Sequence, residues 1–345
     1  MSRIAQPVKP VAIAAVPPRL PDPTRTRGPA LAAFLLAAGL LTIVQTVVAR
    51  PMLLAERYVP GAGWVEIALL AVYAGWLAAA LQKPGAWARL RPRVWFLFSA
   101  VFFGQLLLGM AGVERCLMSG KLHLPVPAMV LAGPAYRGEG LFMPILFLST
   151  VVLTGPAWCS WLCYIGAWDN VLARRVRMKR PLSPRAREAT RLGLLVLTVG
   201  GAVLLNRLGV GGGKAAVLGG VFGLTGVGVM AWVSARRGWM AHCTAFCPLG
   251  WLAVRLGRLS PFRLRIRGSC ESCGVCRPTC RYGALDRAAW QATKPHVSCT
   301  LCGDCLETCG ALEMTFPGLS PAASRRLFSV LVASLHAVFL GVARI

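Results

Sequence analysis

Eight cysteines near the C-terminal end of the chain form two copies of one spacing pattern. Each copy reads C-x2-C-x2-C-x3-C, eighteen residues separate the copies, and together they span 270–309. Every cysteine of the second copy lies 29 residues after its counterpart, so the pattern is an internal duplication. A cubane 4Fe–4S cluster needs one thiolate for each iron, and three cysteines two residues apart can wrap three of its corners. The spacing therefore predicts two 4Fe–4S clusters in one small unit.

The fourth ligand of each cluster is expected from the opposite copy, as in two-cluster ferredoxins. The ligands predicted for the first cluster are Cys270, Cys273, Cys276 and Cys309. The ligands predicted for the second cluster are Cys299, Cys302, Cys305 and Cys280. Zinc sites favour separated C-x2-C or mixed Cys/His pairs, and disulfide frameworks suit small secreted domains, so both alternatives fit this triple run poorly. The bacterial pattern has proline after the fourth cysteine, whereas Arg281 and Gly310 stand here.

Four further cysteines form two C-x3-C pairs, Cys159 with Cys163 and Cys243 with Cys247. The pairs are 84 residues apart, and a glycine follows the second cysteine of each pair by three residues. Pro248 disfavours helical geometry at the residue before it, so a helix break or a new helix start is expected there. Brought together, four thiolates are enough for a metal or a further iron–sulfur cluster. The alternatives are redox-active dithiols, or small residues buried at a tight helix end.

The chain as a whole is too apolar for a soluble protein. Its 345 residues are 56% hydrophobic and 14% charged, whereas soluble domains are about 25% charged. Six apolar segments approach the ~20 residues that cross a bilayer. They are predicted near 29–49, 63–82, 94–113, 141–158, 192–209 and 215–235. A weaker seventh, 327–342, either spans the membrane or lies flat at its surface.

The expected fold class is therefore a mainly α membrane protein. It is a polytopic helical bundle of six or seven spans with a cytoplasmic two-cluster, bacterial-ferredoxin-like α+β insert. Four regions are predicted along the chain. They are a disordered basic N-terminal tail at 1–28, a transmembrane helical domain with both C-x3-C pairs at 29–262, the ferredoxin-type domain at 263–317 and a C-terminal apolar helix at 318–345.

The distribution of charge predicts the orientation. The formal net charge is +26, and the basic residues are concentrated in the N-terminal tail, the 83–93 loop and the 172–191 loop, which alternate with poorly charged loops. Membrane proteins retain Lys and Arg in cytoplasmic loops. This alternation predicts a multi-pass protein of the inner (cytoplasmic) membrane, with the N-terminus and the ferredoxin insert in the cytoplasm. No base-stacking or groove-reading motif accompanies the charge, so nucleic acid is not an expected partner.

Cytoplasm-facing spans with C-x3-C pairs, followed by two ferredoxin runs, resemble the NapH-type membrane ferredoxins, which are quinol-dehydrogenase subunits. The resemblance covers roughly 94–315 and is most specific at 155–170 and 240–310. Cys243, Cys247 and Pro248 match the C-x3-C-P motif fully, whereas Tyr164 replaces the proline of the first pair. The same core is similar to the membrane part of the nitrous-oxide reductase accessory protein NosR and to the cytochrome oxidase assembly reductase CcoG.

The resemblance implies an electron-transfer component that connects the quinone pool with a partner redox protein through two 4Fe–4S clusters. The protein is expected to lie in membrane lipid, to use quinone or quinol as its substrate, and to have an oxidoreductase subunit as its partner. Two other functions stay open. One is an assembly or maturation reductase that acts on a metal or a disulfide of a metalloenzyme, and the other is a redox sensor.

Three further features lie near these motifs. His242 precedes Cys243 and is a candidate for a proton or a quinol hydrogen bond, with a packed interfacial histidine as the alternative. Asp169 follows the first pair and is a candidate helix cap or proton relay. The long loop 114–140 is predicted either as a partly re-entrant or surface-lying segment or as an ordinary packed loop. Cys116 in that loop has no assigned role.

Overall fold

The protein is described by a computed structural model over residues 24–48, 51–113, 116, 124–179 and 181–342. Most of the described chain is helical. The α-helices are α1 Thr24–Val47, α2 Leu54–Tyr58, α3 Gly63–Ala80, α4 Ala86–Met110, α5 Met129–Arg137, α6 Phe142–Thr154, α7 Tyr164–Ala173, α8 Pro184–Arg207, α9 Gly212–Val229, α10 Ala235–Arg237, α11 Pro248–Leu256, α12 Arg287–Gln291 and α13 Pro321–Val342. The predicted tail lies outside the described residues up to position 23. Its remainder is already helical, because α1 begins at Thr24.

Seven helical segments in the described part of the chain are long and apolar enough to cross a membrane. They are Thr26–Val47, Gly63–Ala80, Ala86–Met110, Phe142–Leu162, Pro184–Arg207, Gly212–Arg237 and Pro321–Val342. The first six correspond to the predicted apolar segments, and the last contains the weaker seventh. That last helix, α13, packs against α1 and α3 along its length. The chain is therefore a multi-pass membrane protein by the length and composition of its helices.

Two of these helices begin well before their predicted starts. The segments predicted from 94 and 192 begin at Ala86 and Pro184. At the second start, Ser183 accepts a hydrogen bond from the Ala186 amide at 3.3 Å, and proline at the first helical position needs no hydrogen-bond acceptor. At the first start, the carboxylate of Glu307 accepts hydrogen bonds from two first-turn amides at 3.3 and 3.1 Å. Several arginines assigned to loops therefore belong to helices.

The loop predicted at 114–140 is partly helical. Helix α5 lies within it and packs against α8, and the segment 124–128 leads into α5. Positions 114–115 and 117–123 lie outside the described residues. The sulfur of Cys116 contacts the Tyr58 hydroxyl at 3.0 Å. The described half of this loop is thus packed against the bundle.

The insert that carries the eight cysteines lies between α11 and α13. It contains two strands, β1 Arg263–Ile266 and β2 Leu312–Thr315, which pair antiparallel with Arg263 opposite Thr315. The strands bracket the two cysteine runs, so pairing them closes the insert into one unit. Alternate residues of both strands are buried, as expected for a ribbon with one face on a core. Helix α12 and a 3₁₀ turn at Asp304–Glu307 complete the insert.

The insert is docked on the membrane domain at Gly303. This glycine has φ +85°, and a Cβ there would overlap the ring of Trp87, which is fully buried in α4. The left-handed conformation and the close approach both require glycine. The second cysteine run therefore packs directly on the start of α4.

Replacing Gly303 by alanine is expected to lower the stability of the docked insert by about 2–4 kcal/mol, because the left-handed conformation and the overpacking both cost free energy. Gly310→Ala is the matched control, since nothing lies within 4 Å of a Cβ added at Gly310. The measurement is the guanidinium midpoint for loss of iron–sulfur absorbance. Equal midpoints for the two variants would contradict this packing.

Candidate metal centres

The duplicated cysteine runs have the same backbone turns at equivalent positions. Ser272 and Leu301, each just before the second cysteine of its run, have left-handed φ values of 53° and 54°. Gly274 and Gly303, each just after that cysteine, have φ values of 79° and 85°. Turns of this kind form concave surfaces lined by amide N–H groups, which favour a bound anion. The duplication seen in the sequence is thus present in the backbone.

Seven of the eight thiols have neighbours that match the predicted ligand sets, which exchange one cysteine between the two runs. Cys280 of the first run interacts electrostatically with Cys299, Cys302 and Cys305 of the second. In the other group, Cys276 interacts with Cys309 and Cys270. Burial raises the pKa of the Cys299 thiol to about 12 and that of Cys276 to about 11. Thiolates at these positions therefore need a neighbouring positive charge such as iron.

The two groups differ in their access to solvent. In one group, Cys280 and Cys305 are buried and Cys299 and Cys302 are half-buried, and the neighbouring Leu301 packs on Gly155 of the membrane domain. In the other group, Cys273 is exposed, Cys270 and Cys309 are half-buried and Cys276 is buried. We call these the inner group, which is Cys280, Cys299, Cys302 and Cys305, and the outer group, which is Cys270, Cys273, Cys276 and Cys309. Of the eight insert cysteines, the exposed one therefore belongs to the outer group.

The two C-x3-C pairs fold into the same local structure, which we call the thiol hinge. Each begins with a π-helical turn, Trp158–Leu162 or His242–Phe246. The amide of the second cysteine donates to the carbonyl five residues earlier, at 2.9 Å for Cys163 and 2.7 Å for Cys247. Both cysteines have extended backbones, with ψ 113° and 115°, and a new α-helix follows each. The predicted break at Cys247 is confirmed, and the first pair makes the same break with Tyr164 in place of proline.

The glycine that follows each pair is explained by the hinge. A Cβ on Gly166 would lie 3.0 Å from the Cys159 carbonyl, and one on Gly250 would lie 3.0 Å from the Cys243 carbonyl. Each new helix therefore folds back onto the first cysteine of its own pair, and only glycine leaves room for the approach. The repeated spacing of cysteine and glycine is one structural unit used twice.

The two thiol hinges face each other and bring their cysteines together. The thiol of Cys243 interacts electrostatically with Cys159, Cys163 and Cys247. A hydrogen bond also joins the hinges, because the Asp169 carboxylate in α7 accepts from the Cys243 amide at 3.0 Å. This contact places the predicted cap or relay between the hinges. Burial raises the pKa of the Asp169 carboxyl to about 6.

One buried cation accompanies the four thiols. Arg191 is 2% exposed, and its guanidinium interacts electrostatically with Cys247, Cys159 and Cys243. A buried guanidinium is stable only beside negative charge. We call Cys159, Cys163, Cys243 and Cys247 the four-thiol site. The positive charge of Arg191 favours thiolates at this site. Among the described residues, no three His, Cys, Asp or Glu side chains are grouped as a single metal ion would require.

The four-thiol site and the inner group share a hydrogen-bonded boundary. The Tyr282 hydroxyl donates to the Cys159 carbonyl at 3.3 Å. The Ser160 hydroxyl donates to the Thr300 carbonyl at 3.1 Å, next to Cys299. Sequence reasoning missed Tyr282, although its position two residues after Cys280 was a signal.

Arg91 bridges the insert and the first thiol hinge through its guanidinium. Its guanidinium donates to both Asp304 carboxylate oxygens, at 2.7 and 2.6 Å, and to the Ser160 carbonyl at 3.0 Å. Asp304 stands between two cysteines of the inner group, and it also accepts from Arg174 at 2.8 Å. Arg91 is 1% exposed, so this is a buried bidentate ion pair. Nothing in the sequence distinguishes Arg91 from the other basic residues of the 83–93 loop.

Comparison with known proteins locates an iron–sulfur signature at the first hinge. A family model described as "4Fe-4S binding domain" matches residues 136–183. The chain therefore carries a 4Fe–4S binding domain. The matched segment contains Cys159 and Cys163 but none of the eight cysteines of the insert.

A curated relative extends this comparison over much of the chain. The chain is 25% identical over 246 residues to the "Putative electron transport protein YccM" of Escherichia coli (strain K12). The alignment covers 64% of this chain and 67% of the relative. No solved structure matches the chain significantly. The resemblance to NapH-type proteins stays a prediction.

Proposed function

We propose that the protein is a membrane electron-transfer component that exchanges electrons between the quinone pool and a partner redox protein. The observation that carries this proposal is the order of the three cysteine sites. The four-thiol site lies at the membrane bundle, and the inner group packs against the four-thiol site. The outer group includes Cys273, which is exposed at the protein surface. The name of the Escherichia coli relative supports electron transport as the task.

We propose that iron–sulfur clusters occupy all three sites. The inner and outer groups supply one four-thiolate set each, as the crossed ligand sets of the sequence predict. The four-thiol site is proposed to hold a third cluster, because the matched 4Fe–4S segment contains its first two cysteines. Its remaining ligands are Cys243 and Cys247. When bound, the clusters supply one-electron transfer between the membrane and the exposed face of the insert.

The side chains around the sites have distinct tasks in this proposal. Arg191, which is buried, would offset part of the negative charge of the four thiolates. Arg91 and Tyr282 hold the insert against the thiol hinges and fix the separation between the sites. Oxidation of one quinol releases two electrons, two protons and one quinone. The electrons leave one at a time toward the partner, and the protons leave to water.

Iron content tests the cofactor assignment. Protein purified anaerobically is expected to contain about twelve irons per chain, four for each of three cubane sites. A content of about eight would leave the four-thiol site as a dithiol. One zinc and no iron would contradict the whole assignment. The measurement is iron, zinc and acid-labile sulfide per chain, with protein quantified by amino-acid analysis.

The proposed orientation puts the insert in the cytoplasm. The insert contacts the starts of α4 and α8 and the turn after α10, through Asp304 to Arg91, Arg187 to the Tyr282 carbonyl at 2.8 Å and Arg281 to the Gly238 carbonyl at 2.7 Å. The basic 83–93 and 172–191 regions therefore lie at the insert's end of the bundle. Lys and Arg are retained on the cytoplasmic side.

A reporter fused after Arg281 is expected to report cytoplasm, and one inserted within 116–140 is expected to report the opposite side. Paired alkaline phosphatase and fluorescent protein fusions at each position make the measurement internally controlled. The reverse pattern would contradict the orientation, and the same side for both would contradict the span count.

A further inference from the structure

A cavity lies in the membrane domain directly beside the second thiol hinge. Its volume is about 290 Å³. Helix α9, the segment 124–128 and the π-helical turn His242–Phe246 form most of its wall, with contributions from Phe103 and Ile165. Ligand pockets begin at about 300 Å³, so this cavity has room for one small ring.

The wall of the cavity is apolar apart from two groups. Phe222 and Phe246 stack with ring centroids 4.8 Å apart. The exposed side chains of Leu224 and Val227 lie at its rim, on the lipid-facing side of α9. The two polar groups are the ring of His242 and the thiol of Cys247. The cavity therefore suits a flat aromatic headgroup whose apolar tail extends along α9 into lipid.

His242 has an unfilled requirement for hydrogen bonds. The residue is 6% exposed, and neither ring nitrogen has a hydrogen-bond partner among the described residues. The backbone of Gly226 lies close to the ring but outside hydrogen-bond geometry. Buried polar groups are almost always hydrogen-bonded. A ring that lines a cavity without a partner marks the place where a ligand oxygen completes the set.

The other buried histidine of the described chain provides the contrast. His336 is fully buried, but its two nitrogens contact the Tyr73 hydroxyl at 3.1 Å and the Val94 carbonyl at 2.9 Å. Both ring nitrogens of His336 therefore have hydrogen-bond partners within the protein, and His336 does not line this cavity. Burial of an imidazole alone therefore does not explain the unpaired nitrogens of His242.

Glycines on α9 create the space that His242 occupies. A Cβ on Gly226 would lie 2.8 Å from the His242 ring, and one on Gly223 would press on Val126. Gly223 and Gly226 therefore leave the backbone of α9 open to close approach by Val126 and His242. The placement of the ring depends on Gly226.

We propose that this cavity is the site where a lipid-soluble quinone or quinol binds, with its ring against Phe222 and Phe246 and one oxygen hydrogen-bonded to His242. The inference rests on the proposed function and gives it a location. Cys247 and Pro248 line the same cavity, so the bound ring lies against the four-thiol site. A quinol hydroxyl can donate to the His242 ring nitrogen that carries no proton. A quinone oxygen can accept from the same position when the other tautomer places an N–H there.

The test uses the whole protein in lipid nanodiscs with an azido-substituted short-chain ubiquinone as the probe. Photolabelling is expected within 220–227 and 242–248, and unlabelled ubiquinone is expected to compete. His242→Leu should weaken competition about tenfold by removing a hydrogen bond from an apolar site. His242→Gln keeps a donor and an acceptor and should stay within about threefold. Gly226→Ala should weaken binding by displacing the ring.

His336→Gln is the matched control and is expected to bind like the unchanged protein. Full reduction by dithionite shows for every variant that the metal sites are intact. If quinol analogues exchange electrons with the protein but His242→Leu binds them unchanged, the cavity is not the site and the proposed function stands. If no quinone analogue binds or exchanges electrons, the proposed function itself fails. If added phospholipid competes with the photolabel and unlabelled ubiquinone does not, the cavity binds acyl chains, and the proposal is overturned.

Discussion

Replacing Cys243 and Cys247 by serine is expected to slow electron exchange with a quinone analogue by at least ~100-fold, because serine is a poor ligand for iron and cannot form a dithiol. Both residues belong to the second thiol hinge, between the membrane cavity and the inner group. The apolar spans are untouched, so membrane insertion should be normal. The eight cysteines of the insert are also untouched, so their clusters should remain. The defect should therefore be confined to the transfer of electrons.

The measurement is anaerobic stopped-flow absorbance of the variant mixed with quinol or, after chemical reduction, with quinone. Iron content should fall from about twelve to about eight per chain. Cys116→Ser is the control, since Cys116 contacts Tyr58 and belongs to none of the three sites. An unchanged exchange rate would show that the hinges are structural. Loss of the insert's own clusters would show that the ligand sets are wrong.

Replacing Arg91 by leucine is expected to destabilise the docked insert by roughly 3–5 kcal/mol, because removal of one member of a buried ion pair leaves a buried charge uncompensated. Arg174 still contacts Asp304, so the loss should lie toward the lower end of that range. The Ser160 carbonyl also loses its partner at the boundary with the thiol hinge. Electron exchange between the four-thiol site and the insert should slow with the loss of docking.

Stability is measured as the guanidinium midpoint for exposure of the insert to limited proteolysis. Arg255→Leu is the matched control, because the Arg255–Glu188 pair is about one-third exposed on both sides, and exposed pairs contribute about 1 kcal/mol or less. Equal midpoints for the two variants would contradict a docking role for Arg91. Loss of docking with unchanged electron exchange would contradict the proposed path.

The features that the sequence predicted well are those set by local chemistry. The apolar segments became membrane-length helices because hydropathy over about twenty residues decides insertion. Pro248 predicted the break at Cys247, because proline disfavours helical geometry at the residue before it; the same break at Cys163, which Tyr164 follows, carried no such signal. The matched turns of the duplicated runs follow from short cysteine spacings, which leave few backbone conformations.

The features that the sequence did not predict depend on contacts between distant segments. Arg91, Arg187 and Arg191 were assigned to basic loops, yet all three are buried where the insert or the hinges cover them. Ser183 and Pro184 did carry a local signal for the early start of α8. The role of Gly226 has no local signal, because it depends on a histidine ring from another helical turn. Hydropathy and spacing cannot reveal which neighbour will cover a charge.

The most direct test of the account is electron exchange between a quinone analogue and the insert of the unchanged protein. Protein in nanodiscs is mixed anaerobically with a quinol analogue, and chemically reduced protein is mixed with the corresponding quinone. The low-temperature electron paramagnetic resonance spectrum is recorded for each. The 4Fe–4S signals of the insert are expected to appear with the quinol or to disappear with the quinone. Signals that respond to dithionite but to neither quinol nor quinone would contradict this expectation.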